Sequence, residues 1–421
     1  MNNGDPDAGG PADAGPRADS AARNHETNAG NDVIEAGAPT PVKYRCLWTP
    51  FDAEMRDAML RPTPGPVYYD GPEVEALERE AAAYLGVARG VGVSSGTTAL
   101  YLAMLAMGIG PGDEVVCAAN GYLSGPECAI HAGAKPVYCD VLAATANMDA
   151  RTVEPVLSPR TKAIVAVHLY GHPVDMDPLM ELARRRGIFV IEDLAHAFGG
   201  RYKGRPLGSI GDASFTSFAR KGVTVAGQGG MAFTSEPEWA HRMSLLRRHG
   251  WERGHAYRSR LSLVGFNHTL SESLAAVGRV SLSRLDRYNA VRRENARRYT
   301  AGLTARGLGA AVPVEMPWAS HAWLHYVIRV PRRDGLIAFL SERGIGAGIH
   351  YKHPVYREPA YVARTGEDPG PRPVTDRIVT EIVTLPSHPD MGDGIDYVLD
   401  QVAEFYGGRL DAAGEPAAAA R

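Results

Sequence analysis

The chain has 421 residues, 44% hydrophobic and 22% charged, proportions that fit a soluble globular protein with room for one large domain and a smaller one. A net charge of -3 without any lysine-rich run gives no electrostatic case for a nucleic-acid partner, and no apolar run approaches the length of a membrane span. The four cysteines (Cys46, Cys117, Cys128 and Cys139) show no C-x-x-C pairing and no metal-ligand spacing, so no metal site is expected.

Residues 1–42 are rich in Gly, Ala, Asp, Asn and Pro with almost no large apolar side chains, and residues 408–421 are similar; both read as disordered tails. The N-terminus lacks the basic start and apolar core of a secretory leader. Cys117 and Cys139 fall in apolar runs, where buried thiols are expected, and a cytoplasmic location follows from both observations. From Glu73 to Leu85 the apolar residues Val74, Leu77, Ala81, Tyr84 and Leu85 recur with helical spacing. Short apolar runs then follow at Val115–Ala118, Pro136–Cys139, Ala163–Val167, Ile188–Ile191, Ala213–Phe218 and Met231–Phe233. Helical segments such as Ala99–Met107 and Pro178–Arg186 lie between them. Short buried strands alternating with helices predict an α/β fold with a mainly parallel central sheet covered on both faces. A long helical pattern runs from Ser271 toward Leu303, and a smaller C-terminal α+β unit follows, with a strand over Leu324–Val330 and a helix over Leu336–Arg343. These features predict a large domain over 43–290 and a small domain over 291–407.

Ligands of parallel α/β sheets bind beyond the carboxyl ends of the strands, so the residues that end each strand are the ones to examine. Ser95, Gly96 and Thr97 precede a helix, where backbone amides and small hydroxyls suit a phosphate; an ordinary N-cap is the plainer reading of the same residues. Tyr122 follows the strand Val115–Ala118 and reads either as a ring that stacks on a flat cofactor or as packing. Asp193, in the run Glu192-Asp193-Leu194-Ala195-His196, is costly to bury at a central strand end without a cationic partner, and it is equally a candidate N-cap.

Only six residues are lysine, and arginine cannot serve as a carbonyl nucleophile, so Schiff-base chemistry has six candidates. Lys221 alone follows a hydroxyl-rich strand end (Ser214 to Ser217) and precedes a glycine loop (Gly227, Gly229, Gly230). A phosphate cradle, a stacking ring, a partner for a pyridinium nitrogen and a Schiff-base lysine are together the parts a pyridoxal 5'-phosphate enzyme needs.

With these residues in hand, the sequence resembles the DegT–StrS family of fold-type I, pyridoxal-phosphate-dependent sugar aminotransferases. The resemblance runs from about Gly71 to Phe405. It is carried by Ser95 to Leu100, Gly110 to Val116, Val167 to Gly171, Glu192 to His196, Gly265 to Asn267, Gly348 to Tyr351, Glu358 to Tyr361 and Leu385 to Pro389. It implies that Lys221 is the Schiff-base lysine, that Asp193 pairs with the pyridinium nitrogen and that Tyr122 stacks on the ring. Ser95, Gly96 and Thr97 would hold the phosphate. His196, where many members have Gln, would contact the phenolic oxygen or phosphate region. Asn267 would reach the phosphate of a neighbouring subunit's cofactor, which implies a homodimer with shared active sites.

The sequence departs from the family pattern in two places. Ser217-Phe218 is followed by two residues before Lys221 instead of three, so either Thr216 or Ser217 stands for the usual serine at the phosphate. Gln228 stands where an acidic residue is common. His350, Tyr351 and Lys352 are candidate substrate contacts. The resemblance implies transfer of an amino group from glutamate or glutamine to a keto-sugar, with or without a nucleotide, or a keto-cyclitol, in secondary-metabolite or surface-sugar biosynthesis. The alternatives are a pyridoxal-phosphate-dependent dehydratase or other carbanion chemistry on the same scaffold, and a non-catalytic cofactor-binding relative.

Overall fold

The computed structural model describes residues 42–61, 68–252, 261–366 and 369–407. The two tails expected from composition lie outside the described residues, apart from Val42. In chain order the strands are β1 (Tyr44–Arg45), β2 (Arg89–Val93), β3 (Glu114–Ala118), β4 (Lys135–Cys139), β5 (Thr161–Val167), β6 (Phe189–Asp193) and β7 (Arg201–Tyr202). They continue as β8 (Arg205–Pro206), β9 (Ala213–Ser217), β10 (Gly230–Thr234), β11 (Ala319–Ser320), β12 (Tyr326–Arg329), β13 (Ile345–Gly346) and β14 (Ile382–Leu385).

Seven of these strands form the central sheet in the order β2-β10-β9-β6-β5-β3-β4. Only β10 runs against its neighbours; the other pairings are parallel. The interior strands are buried on both faces, which is why they read as unbroken apolar runs such as Ala163 to Ala166 and Val190-Ile191. The six runs expected as strands appear as β3, β4, β5, β6, β9 and β10. The fourth of these runs extends further than expected: β6 reaches Asp193, so Glu192 and Asp193 belong to the strand itself.

The strand β2 carries no clear strand signal, because Arg89-Gly90-Val91-Gly92-Val93 has two glycines and glycine disfavours strands. Packing demands the first of them. A Cβ on Gly90 would lie 2.8 Å from the Met231 sulfur and 2.9 Å from the Glu78 carbonyl oxygen.

The helix α1 (Ala53–Met59) is followed by α2 (Pro72–Leu85), which starts with proline at its first position and ends on Gly86 in the left-handed region (φ 77°). Its buried face holds Val74, Leu77, Ala81 and Leu85, as the spacing predicts, whereas Tyr84 is only half-buried and donates its hydroxyl to Asp286. The buried Glu272 caps α2 from a distant segment, accepting from the amides of Gly71, Glu73 and Val74. The helix α3 (Gly96–Ala106) follows β2 directly.

The helical pattern expected from Ser271 to Leu303 is two helices, Glu272–Ser283 and Leu285–Ala305, broken at Arg284. Residue 290 lies inside the second of them. Beyond it, β12 and β14 pair antiparallel and, with the flanking helices, enclose a separate core that includes Tyr299, Leu303, Ile328, Leu340 and Leu399. The strand β1 joins this C-terminal unit by pairing in parallel with β13. Among the described residues no helix is long and apolar enough to cross a membrane.

Candidate active site

The carboxyl ends of β2, β3, β5, β6 and β9 open on one cavity of about 950 Å³. Asp193 enters from the tip of β6. It is buried, and its Oδ1 accepts the Ala195 N–H at 2.8 Å. Burial pushes its carboxyl up to about 6, against the pull of that amide and of the Lys221 charge. Its strand neighbour Glu192 points the other way, into a full set of partners. His168 Nε2 lies 3.1 Å from it, and the amides of Gly208, Ile210 and Gly211 donate to it. Burial alone would raise the Glu192 carboxyl, but His168 and these amides outweigh it and hold it below the usual range.

Lys221 follows β9 by four residues, and its Nζ lies 3.0 Å from His196 Nε2. Burial lowers it to about 8, with Asp193 opposing. His196 is buried as well. Its Nδ1 accepts the Tyr170 N–H at 3.3 Å, and its ring lies edge-on to His325 with centroids 4.8 Å apart. Tyr351 places its hydroxyl 3.3 Å from His196 Nε2, and the Tyr170 hydroxyl donates to the His350 carbonyl. His350 Nδ1 is 2.9 Å from Thr384 Oγ1.

The helix α3 points its N-terminus at the cavity. Ser95 caps it, accepting the Thr98 N–H at 3.0 Å, which leaves the amides at the very start of the helix for a ligand. Two glycines bring this helix start against the sheet. A Cβ on Gly96 would lie 2.7 Å from Ser217 Cβ, and one on Gly230 would lie 2.4 Å from the Ser95 carbonyl carbon.

The cavity therefore gathers most of the residues singled out in the sequence: Ser95, Gly96, Thr97, Tyr122, Asp193, His196, Ser217, Lys221, His350 and Tyr351 all line it. Tyr122 is 47% exposed, its ring 6.0 Å from that of Tyr351. Three are placed elsewhere. Thr216 is buried but does not line the cavity, because alternation along β9 turns Phe215 and Ser217 toward it and Thr216 away. Lys352 is exposed and outside the cavity lining, and Asn267 is exposed beside a bridge to Arg248. Gln228 is at the mouth.

Other cavity residues escaped the sequence reading. Leu47, Thr49, Phe51 and Met59 come from the N-terminal segment and α1, and His325 comes from the turn before β12. Arg220, beside Lys221, also lines the cavity and has a left-handed backbone (φ 53°). No local pattern marks the first group, whose place depends on the distant pairing of β1 with β13.

The residues present fit pyridoxal phosphate. The buried Asp193 carboxylate has one hydrogen-bond donor among the described residues, so a protonated ring nitrogen would supply the partner its charge lacks. The start of α3 is shaped for an anion by glycines that no larger residue can replace.

A family model described as the DegT/DnrJ/EryC1/StrS aminotransferase family matches residues 52–403. A dTDP-3-amino-3,4,6-trideoxy-alpha-D-glucose transaminase of Streptomyces venezuelae is 38% identical over 343 residues, covering 80% of this chain and 88% of that protein. The crystal structure of S. venezuelae DesV in complex with a ketimine intermediate is similar at a TM-score of 0.78 and 37% identity, over 85% of this chain and 95% of that one. The pyridoxal-phosphate form of a putative sugar aminotransferase, Spr1654 of Streptococcus pneumoniae, is similar at a TM-score of 0.79 and 25% identity, over 87% and 99% of the two chains.

Proposed function

Because the chain belongs to the DegT/DnrJ/EryC1/StrS aminotransferase family, and so is a pyridoxal-phosphate-dependent aminotransferase of fold type I, we propose that Lys221 and Asp193 carry its chemistry on a keto-sugar or keto-cyclitol. The amino donor in this reading is glutamate or glutamine. The observation that carries it is the half-buried amine of Lys221 and the buried carboxylate of Asp193 lining one cavity, each charge acting on the other.

Pyridoxal phosphate, when bound, supplies an electron sink for the carbanion formed next to nitrogen. The residues divide the remaining work. Lys221 would hold the cofactor covalently and, once displaced by the incoming amine, its freed amine would move a proton between the substrate carbon and the cofactor carbon. Asp193 would pair with the ring nitrogen and favour its protonated state, and Tyr122 would stack on the ring. Ser95, Gly96, Thr97 and Ser217 take the phosphate between the start of α3 and the end of β9, where the close approach of Gly96 to Ser217 supports the assignment. His350 and Tyr351 offer hydrogen-bonding groups to a hydroxylated substrate, and Phe51 lends an apolar edge to the mouth. Lys352, exposed beyond this wall, is left as a contact for the outer part of a long substrate such as a nucleotide-linked sugar.

The active unit in this reading is a two-fold dimer. Asn267 is exposed and outside the cavity of its own chain, so a cofactor contact by it would be with another copy. The same segment exposes Leu261 and Val264, the latter 88% accessible, as a surface to cover. A large domain over 43–290 and a small one over 291–407 would then close the site between them. Four free, buried cysteines accord with a reducing cytoplasm.

The test is spectroscopic. The loaded protein, given glutamate or glutamine alone, should lose the absorbance of its lysine-bound cofactor, and a keto-sugar or keto-cyclitol alone should restore it. If no amine donor changes the spectrum and a sugar substrate loses water instead, the dehydratase alternative stands.

A further inference from the structure

Neutral imidazole carries one proton, and which ring nitrogen holds it is decided by the partners of the two nitrogens. At His196 the decision is made by the main chain. A backbone amide only donates, and the Tyr170 N–H points at His196 Nδ1 from 3.3 Å. That nitrogen must present its lone pair, so the proton of the neutral ring is on Nε2. A doubly protonated ring would set one N–H against another. Tyr170 is secured in this pose: its backbone is in the left-handed region (φ 62°), uncommon for an aromatic residue, and its hydroxyl donates to the His350 carbonyl.

The protonated Nε2 lies 3.0 Å from Lys221 Nζ. An ammonium group has three donors and no lone pair, whereas a neutral amine accepts. We propose that His196 is a fixed hydrogen-bond donor that biases Lys221 toward its neutral, nucleophilic amine, and is thus a positioning residue for the lysine. The inference rests on Lys221 being the cofactor lysine.

The other groups around Lys221 have separate origins. Asp193, from the end of β6, favours the charged lysine and opposes His196. His350 and Tyr351, from the segment after β13, and His325, from the turn before β12, are buried. Arg220 adjoins Lys221 in sequence with an exposed side chain. Burial already brings Lys221 down to about 8 and holds His196 well below its usual value, the same direction as the hydrogen-bond argument. A donor to the free amine lowers Lys221 further, toward neutral pH.

The experiment uses the full-length chain freed of cofactor. Limiting acetic anhydride is applied across a pH series, and peptide mass spectrometry reports acetylation of Lys221 relative to the exposed Lys203. The parent chain should give a midpoint at or below about 8. In His196→Gln the carboxamide can accept from Tyr170 and donate to Lys221, so the midpoint should stay within a few tenths of a unit. His196→Phe can do neither and should raise it by about 0.5–1 pH unit, the equivalent of one lost hydrogen bond. If His196 merely fills space, Phe is at least as apolar and the midpoint will not rise; that result, or a Gln variant behaving like Phe, overturns the proposal. Should the Phe variant fail to fold, nitrogen NMR of histidine-labelled parent protein decides, with the His196 signals assigned by their loss in the Gln variant. A pyridine-like Nδ1 with a pyrrole-like Nε2 supports the proposal, and the reverse pattern or an imidazolium overturns it. Finding the cofactor on another lysine would fell the functional reading while leaving the titration result to stand on its own.

Discussion

Asp193 and Phe215 face each other in the parallel ladder between β6 and β9, so the carboxylate that ends one strand and the lysine that follows the next enter one cavity from adjacent strand tips. Burial acts on the two groups in opposite senses, raising Asp193 to about 6 and lowering Lys221 to about 8, and each charge partly offsets the penalty on the other. Groups held this far from their ordinary values in a cleft are suited to accept a partner that completes them.

The lysine assignment is tested by trapping. Borohydride reduction of the cofactor-loaded chain should leave a pyridoxyl group on Lys221, located by peptide mapping. Lys221→Ala should still take up the cofactor through the phosphate and ring contacts, yet give no reduced adduct and no turnover. An adduct on Lys203 or Lys352 instead would refute the assignment.

Asp193 gives a stability prediction whose sign is opposite to that of a salt-bridged carboxylate. Its folded value, about 6, lies above its ordinary 3.8, so between those two pH values the native state binds more protons than the unfolded one. Stability of the cofactor-free chain should therefore fall as pH rises through that window. At 1.36 kcal/mol per unit the ceiling on this cost is about 3 kcal/mol. Asp193→Asn keeps an oxygen for the Ala195 amide and removes the charge, so without cofactor it should melt higher than the parent at neutral pH, the gap closing toward pH 4. It should also bind the cofactor more weakly. Lower melting at neutral pH would show that Asp193 already has a partner in the empty site.

The features legible in the sequence were those set by local chemistry. Lys221 stood out because lysine is scarce in this chain, and Asp193 because an acidic residue ending an apolar run needs a reason. The strand β2 was hidden because the glycines that let it approach Met231 and Glu78 also erase its apolar signal. His325 and the Leu47–Phe51 edge of the cavity were hidden for a different reason. The Leu47–Phe51 edge follows β1, which pairs with β13, and His325 is held by its amide donating to the Tyr170 carbonyl; both are contacts between distant segments that no local period encodes. The choice between Thr216 and Ser217 needed the phase of β9, and spacing to Lys221 alone does not supply it.

Shared sites predict complementation between two inactive chains. Lys221→Ala lacks the cofactor lysine, and Asn267→Asp would set a carboxylate against the phosphate of the other copy. In a mixed dimer one site escapes both changes only if Asn267 crosses the interface, so mixing should restore part of the activity. Full activity in a parent protein shown to be monomeric under assay conditions would end the dimer reading.

The phase of β9 makes the last prediction. Phe215 and Ser217 face the cavity, while Thr216 sits opposite Met231 in the ladder with β10, and its hydroxyl makes only a long contact, 3.4 Å, to the Ser217 carbonyl. Ser217 approaches the start of α3 so closely that Gly96 has no room for a methyl group, which brings this residue beside the amides that would take the phosphate. Losing one hydrogen bond to a charged group costs about 1.5–3 kcal/mol, so Ser217→Ala should weaken cofactor binding by roughly ten- to a hundredfold. Thr216→Val keeps the shape and removes a hydroxyl that faces away from the cavity, so no contact to the phosphate is lost and cofactor affinity should stay within about twofold. Both affinities can be read from absorbance titrations of the cofactor-free protein. If the valine variant loses affinity and the alanine variant keeps it, the phosphate contact belongs to Thr216, and the strand must shift its register when the cofactor binds.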